Sequence, residues 1–351
     1  MKILITGISG QIGSYLAEEY LNQGHVVYGM LRRTSSSNLW RLSKIKYHNR
    51  LVLFEGDVTD FSSVFSSISK YQPDKIANLA GQSHVHTSFS QPHYTTNVVY
   101  NGVLNILESM KILHSSARFA TANSSEQFGT SFNRAFDDNY QDETTLMKPQ
   151  SPYAVAKLAA YHLCDIYRTY GLWIIRPILF NSESYRRGEN FVTRKITKWV
   201  GEFVRWAILE GIYTKSLDLS YLTFNDTYIE SKLSTHTFPK LRLGNLEAQR
   251  DWTHAQDTAK GILLALEHTT PDDFVFSSGQ TKSIKEFLDI IFSLVNLDWH
   301  PFVLIDQALC RPNEVPFLLG RSTKAHTELG WEPKISFSDL CREMIDYDIS
   351  S

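Results

Sequence analysis

The chain opens Met1-Lys2-Ile3-Leu4-Ile5-Thr6-Gly7-Ile8-Ser9-Gly10-Gln11-Ile12-Gly13-Ser14-Tyr15-Leu16-Ala17-Glu18, and this stretch decides the fold. An apolar run long enough for one strand ends in G-x-x-G-x-x-G and passes directly into an amphipathic helix pattern. Gly7, Gly10 and Gly13 let the backbone turn tightly and come close to a pyrophosphate, which free N–H groups and the dipole of the following helix would stabilise. The spacing alone is a weak signal, because a plain strand-to-helix turn can carry it. Opening a strand-helix-strand unit gives it weight.

The same rhythm continues through the first half. Strand patterns at Lys2–Thr6, 25–31, 51–54, 75–79, Arg118–Thr121 and 172–177 alternate with helix patterns at Gln11–Asn22, 62–70, 94–114 and 152–170. That order predicts an α/β protein, a Rossmann-type doubly wound parallel sheet with right-handed crossovers. Beyond about residue 186 the rhythm changes. A helix pattern over 193–209 runs into a polar stretch at 213–240, either a hairpin-bearing insertion or a flap, and short strands and helices follow. The reading is a dinucleotide-binding domain over 1–185 and a smaller α+β substrate lobe over 186–351. No Pro/Gly/Ser-rich spacer separates them, so the lobe is expected to interleave with the first domain.

Composition narrows the function classes. With 351 residues, 42% hydrophobic and 21% charged, the chain can bury a full core without a disulfide or metal staple. A net charge of −2 and scattered Lys and Arg argue against a nucleic-acid or membrane partner. Cys164, Cys310 and Cys341 are odd in number and lack C-x-x-C spacing, which suggests neither a disulfide framework nor zinc and fits a reducing cytoplasm. No apolar run approaches the ~18 residues of a membrane span, and the N-terminal one is too short for an export signal. His84 and His86 alternate on one segment but have no third ligand at sensible spacing, so no metal is expected.

Two further stretches point to chemistry. Where NAD enzymes usually place an acid at the end of the second strand, this chain has Arg32-Arg33. Guanidinium groups pair with a 2′-phosphate that an acid would repel, so NADP is the expected cofactor. Asp57, after the third strand, is placed to accept from the adenine amino group. Tyr153-Ala154-Val155-Ala156-Lys157 starts a predicted helix with phenol and ammonium on one face. A nearby cation favours phenolate, which can then exchange a proton with a sugar hydroxyl. A lone Y-x-x-x-K is often only a surface pair. Here it follows the glycine loop and Ser124-Ser125-Glu126, at the strand ends where open α/β sheets carry their chemistry.

With these residues in place the chain resembles the extended short-chain dehydrogenase/reductases, and among them the GDP-mannose 4,6-dehydratase family. The similarity covers nearly the whole length. It includes Asn78-Leu79-Ala80-Gly81-Gln82-Ser83, Ser151-Pro152-Tyr153, Arg186-Arg187-Gly188-Glu189, Arg250-Asp251-Trp252 and Arg311-Pro312-Asn313-Glu314. The resemblance implies that Tyr153, helped by Lys157 and Ser124, takes the C4 hydroxyl proton. Glu126 then removes the C5 proton and assists loss of the C6 hydroxyl, giving a 4-keto-6-deoxy sugar for deoxyhexose synthesis. Ser125 stands where dTDP-glucose dehydratases carry an Asp, so acid and base roles both fall on Glu126.

The resemblance also implies an NADP site of Gly7, Ser9, Gly10, Gln11, Ile12, Gly13, Arg32, Arg33, Asp57, Val58, Leu79, Ala80, Gln82, Ser83, Tyr94, Tyr153, Lys157 and Arg187. For the GDP-sugar it implies Ser83, Asn181, Glu183, Arg187, Lys195, Arg250, Arg311 and Glu314. Glu183 and Asn181 would line the hexose end, and Glu314 would accept from sugar or ribose hydroxyls. A homo-oligomer, dimer or tetramer, is implied through the 32–41 loop. The chain departs from the family pattern at Ser182 (usually His), Tyr185 (usually Pro), Ile12 (usually Asp) and Ser124 (usually Thr). These keep other readings open: a GDP-heptose dehydratase, a 4-oxidase, an epimerase, a decarboxylase, or a non-catalytic NADP-binding protein.

Overall fold

Every residue of Ile3-Leu4-Ile5-Thr6 is buried, on both sides of the strand, which demands cover on two faces. The computed structural model, which describes residues 1–35, 38–135, 138–211 and 238–351, supplies it. β1 (Lys2–Thr6), β2 (Val26–Leu31), β3 (Leu51–Glu55), β4 (Lys75–Asn78), β5 (Arg118–Thr121) and the short β6 (Asn123–Ser124) belong to one parallel sheet. A hairpin of β7 (Asn133–Ala135) and β8 (Asp138–Tyr140) stands apart from it, and β9 (Ile174–Leu179) rejoins it beside β5 and β6. A last strand, Asp273–Phe276, pairs with β9, giving eight strands with β1 central between β2 and β4.

Alternation along the strands divides the core in two. Ile3, Ile5, Ala77, Ala120 and Ile175 face a layer that includes Leu16, Tyr20, Ala259, Ile262 and Trp331. Leu4, Ile76, Phe119 and Ile174 face Val64, Ile68, Val103, Leu107 and Cys164. Asp60 accepts from Ser62 and Ser63 N–H groups to start the Phe61–Tyr71 helix, and Ser151 accepts from Ala154 N–H to start the Pro152–Thr169 helix. The single helix expected over 94–114 is three pieces: Pro92–Thr96, a π-type turn at Asn97–Asn101, and Gly102–Ile112.

The chain forms two units. The first takes Met1–Ser182, Asp251–Thr281 and Phe317–Lys334; the second takes Glu183–Arg250, Lys282–Pro316 and Ile335–Ser351. A single cut near residue 185 therefore misassigns 251–281 and 317–334. These belong with the sheet because Asp273–Phe276 is one of its strands and Ala255–Glu267 covers one face. Arg176 anchors the added strand through a paired salt bridge to Asp273, with both N–O distances 2.6 Å. In the second unit the Val192–Leu209 and Phe337–Ser350 helices pack together and are pinned by a buried Arg194–Asp348 ion pair. Most of the 213–240 stretch lies outside the described residues. No helix among the described residues is long and apolar enough to cross a membrane, and the three cysteines are free.

Candidate active site

The strand order reverses between β1 and β4, where open α/β sheets form a crevice at the carboxyl ends of the strands. Gly7 lies at that point with φ +68°, and a Cβ there would stand 2.7 Å from Leu79 and Ala80 backbone atoms. At Gly13 a Cβ would meet Gly7 O at 2.3 Å. Gly10 is the N-cap of the Gln11–Asn22 helix and offers its first turn no side-chain oxygen. The loop is steadied from outside: Gln11 Nε2 donates to Ser182 O at 2.8 Å and Arg41 Nη1 to Ser9 O at 3.3 Å. Ile12 is half-buried against the core.

A buried polar ladder that sequence reasoning missed ties the strand ends together. Thr6 Oγ1 donates to Asn78 Oδ1 at 2.6 Å and accepts from Ala80 N–H, while Asn78 Nδ2 donates to Thr121 Oγ1 at 3.2 Å. Three polar residues at strand ends were its only signal. Arg32 and Arg33 are exposed after β2, and Arg32 Nη1 donates to the Tyr94 hydroxyl at 2.6 Å. Asp57 Oδ1 accepts from Thr59 N–H and Oγ1, Val58 O accepts from Asn105, and Gln82 bridges His84 and Thr95. Leu79 is half-buried and Ser83 is exposed.

The candidate reacting groups lie at the end of β6 and on the helix packed against it. Ser124 caps the turn Ser125–Gln127: its Oγ accepts from Glu126 N–H at 3.3 Å, and Gln127 Oε1 accepts from Ser124 N–H at 3.1 Å. This capping box has the sequence signal S-x-x-Q over Ser124–Gln127. It fixes Ser124, Ser125 and Glu126, each nine-tenths buried or more. The Pro152–Thr169 helix packs on β6 and this turn, and Tyr153 lies in a small apolar cluster with Val85, Val99 and Ala156. One turn on, Lys157 Nζ donates to Ala122 O and stands 5.9 Å from the Tyr153 ring centre. Burial pushes the Lys157 ammonium down to about 8. A phenol, a half-buried lysine, a hydroxyl and a carboxylate on adjoining elements can move protons on and off a bound alcohol.

Two carboxylates expected to meet the sugar are engaged with arginines of their own unit. Glu183 is 2% exposed; its Oε2 accepts from Thr193 Oγ1 at 2.6 Å and lies 3.4 Å from Arg187 Nε. Glu314 Oε1 is paired with Arg250 and lies 3.6 Å from Arg311. Burial pushes the Lys195 ammonium down while Asp306 pulls it back up. Asn181 is half-buried at the end of the first unit's chain, and Ser182 Oγ is 2.9 Å from Thr258 Oγ1. Tyr185 stacks on Tyr347 with ring centres 4.5 Å apart, and its hydroxyl accepts from Arg186 Nε. No cluster of metal-ligating side chains occurs among the described residues.

Residues 4–205 and 220–344 match the family described as GDP-mannose 4,6 dehydratase. GDP-mannose 4,6 dehydratase 1 of Arabidopsis thaliana is 40% identical over 99% of this chain and 89% of its own length. The human GDP-mannose 4,6 dehydratase is 36% identical over 99% and 91%. Among solved structures, DesIV, a dTDP-glucose 4,6-dehydratase from Streptomyces venezuelae, superposes with a TM-score of 0.78 over 99% of this chain and 97% of that one, at 21% identity. That last likeness concerns the fold. Full-length similarity and the matching motifs together place the chain in the GDP-mannose 4,6-dehydratase family.

Proposed function

We propose that this protein converts GDP-mannose to GDP-4-keto-6-deoxymannose by redox chemistry internal to the sugar, with NADP as its retained cofactor. The observation that carries the reading is Glu126, a carboxylate held by a capped turn beside the helix that bears Tyr153 and Lys157. Sugar 4-epimerisation needs only the proton-transfer pair, whereas elimination across C5 and C6 needs a second acid-base group.

The glycine loop fits a dinucleotide. Side chains are sterically excluded at Gly7 and Gly13, and Gly10 leaves the helix N-terminus open to a phosphate. Exposed Arg32 and Arg33 favour a 2′-phosphate and so NADP. When bound, the nicotinamide supplies the hydride acceptor at C4 and the donor at C6. Tyr153 takes the C4 hydroxyl proton, with the Lys157 cation favouring the ionised phenol and Ser124 donating to the same oxygen. The new C4 carbonyl acidifies C5–H. Glu126 removes that proton and returns one to the departing C6 hydroxyl, which leaves as water; C5 takes a replacement proton from solvent as C6 is reduced. Arg187, Lys195, Arg250 and Arg311 supply charge for the diphosphate.

The experiment is product analysis by mass spectrometry and NMR on a panel of GDP-mannose, a GDP-heptose and UDP-glucose. Loss of one water with a C4 ketone from GDP-mannose is expected. Turnover of the heptose in its place would move the substrate assignment to the reading that Ser182 and Tyr185 suggested. An epimer in place of the dehydrated sugar would overturn the reaction. We also infer a homo-oligomer built through the 32–41 loop, which light scattering tests; a monomer at working concentration contradicts it.

A further inference from the structure

We propose that Glu183 is a positioning residue that holds Arg187 ready for a nucleotide phosphate, and is not itself a sugar ligand. The local chain dictates the arrangement. Arg187 N–H donates to Ser184 O at 2.9 Å and Phe191 N–H to Gly188 O at 3.0 Å, so two successive turns fold residues 184–191 back on themselves. The Arg187 guanidinium carbon then lies over the Phe191 ring, 3.6 Å from its centre. Its buried Nε edge faces the Glu183 carboxylate at 3.4 Å.

One face and one edge of the fork are thus occupied. Among the described residues neither Nη has a hydrogen-bond or carboxylate partner, and the side chain keeps 17% of its surface open. An arginine whose Nε side faces a carboxylate and whose two Nη groups remain available suits a phosphate oxygen pair. Glu183, at 3% side-chain exposure, offers little to a ligand directly. Its Oε2 already takes the Thr193 hydroxyl, which is itself fully buried at the start of the Val192–Leu209 helix. Burial raises the Glu183 carboxyl, and Arg187 is the largest influence opposing that rise.

This inference rests on the proposed function only in taking the anion to be a nucleotide phosphate, from either the GDP-sugar or the dinucleotide. Two titrations separate the sources: GDP by calorimetry and NADPH by fluorescence, each with the full-length protein. Glu183→Gln keeps the shape and an acceptor for Thr193 but removes the charge that faces Arg187. Its affinity for one of the two ligands should fall about tenfold, with kcat at saturating substrate changed far less.

The deciding comparison is a double-mutant cycle with Arg187→Met. If Glu183 acts through Arg187, Glu183→Gln adds no further loss in the Arg187→Met background. Equal losses in both backgrounds, or unchanged affinity for both ligands in a folded Glu183→Gln protein, would overturn the proposal. The cycle reads binding alone, so a protein that fails to dehydrate GDP-mannose yet shows the coupling contradicts the proposed reaction and leaves this role standing.

Discussion

Replacing Lys157 by Met should make the protein more stable near neutral pH and nearly inactive. Burial holds the Lys157 ammonium near 8, against an ordinary 10.5. At about 1.4 kcal/mol for each tenfold change, a protonated lysine in this position costs about 3 kcal/mol near pH 7. Methionine has similar length and no charge. It also strands the Ala122 carbonyl that Lys157 now serves, a loss of about 1 kcal/mol. The net gain is about 2 kcal/mol, or roughly 3 °C in melting temperature.

The sign with pH follows from which state holds the proton. Between 8 and 10.5 the unfolded chain binds more protons at this lysine than the folded one, so wild-type stability climbs with pH through that window. The advantage of Lys157→Met is complete below 8 and falls to less than about 0.5 kcal/mol by about pH 9.5. Scanning calorimetry on both proteins at the two pH values reads this, and kcat should fall at least ~100-fold because the Tyr153 phenol loses its cation. A Met variant that melts lower near pH 7, or whose difference from wild type ignores pH, would refute the reasoning. Retained turnover would remove Lys157 from the chemistry.

Other perturbations probe different parts of the account. Glu126→Gln should lower kcat by about 1,000-fold while GDP binding by calorimetry is kept; lost binding would show a structural role instead. Arg32→Ala combined with Arg33→Ala should weaken NADP binding by about 2 kcal/mol and leave NAD nearly unchanged, measured by fluorescence titration. Asp251 accepts from Ser278 N–H and Oγ, Gly279 N–H and Gly320 N–H, all within the first unit. Asp251→Ala removes a fully buried acceptor from those donors and should cost about 3 kcal/mol in chemical denaturation.

What the sequence made legible was local. Gly7–Gly13 and the period of the first strands announce the parallel sheet because turn geometry and burial act over a few residues. Asp273–Phe276 escaped notice because a four-residue strand declares its place only through partners far back in the chain, Arg176 to Leu179. The helix expected over 94–114 kept its apolar period while the backbone widened into a π turn at 97–101, which composition does not encode. In the candidate site, residue type and spacing singled out Tyr153, Lys157 and Glu126 as candidates. They gave no sign that Glu183 and Glu314 each lie beside an arginine of their own unit, because those pairings form only in the folded chain.

The most direct trial of the central claim is turnover of GDP-mannose in deuterium oxide, with the dinucleotide followed by absorbance. One solvent deuteron at C5 of a 4-keto-6-deoxy product, with no reduced cofactor accumulating, is the predicted result. Product with hydrogen retained at C5, or one equivalent of reduced cofactor released for each sugar converted, would contradict it.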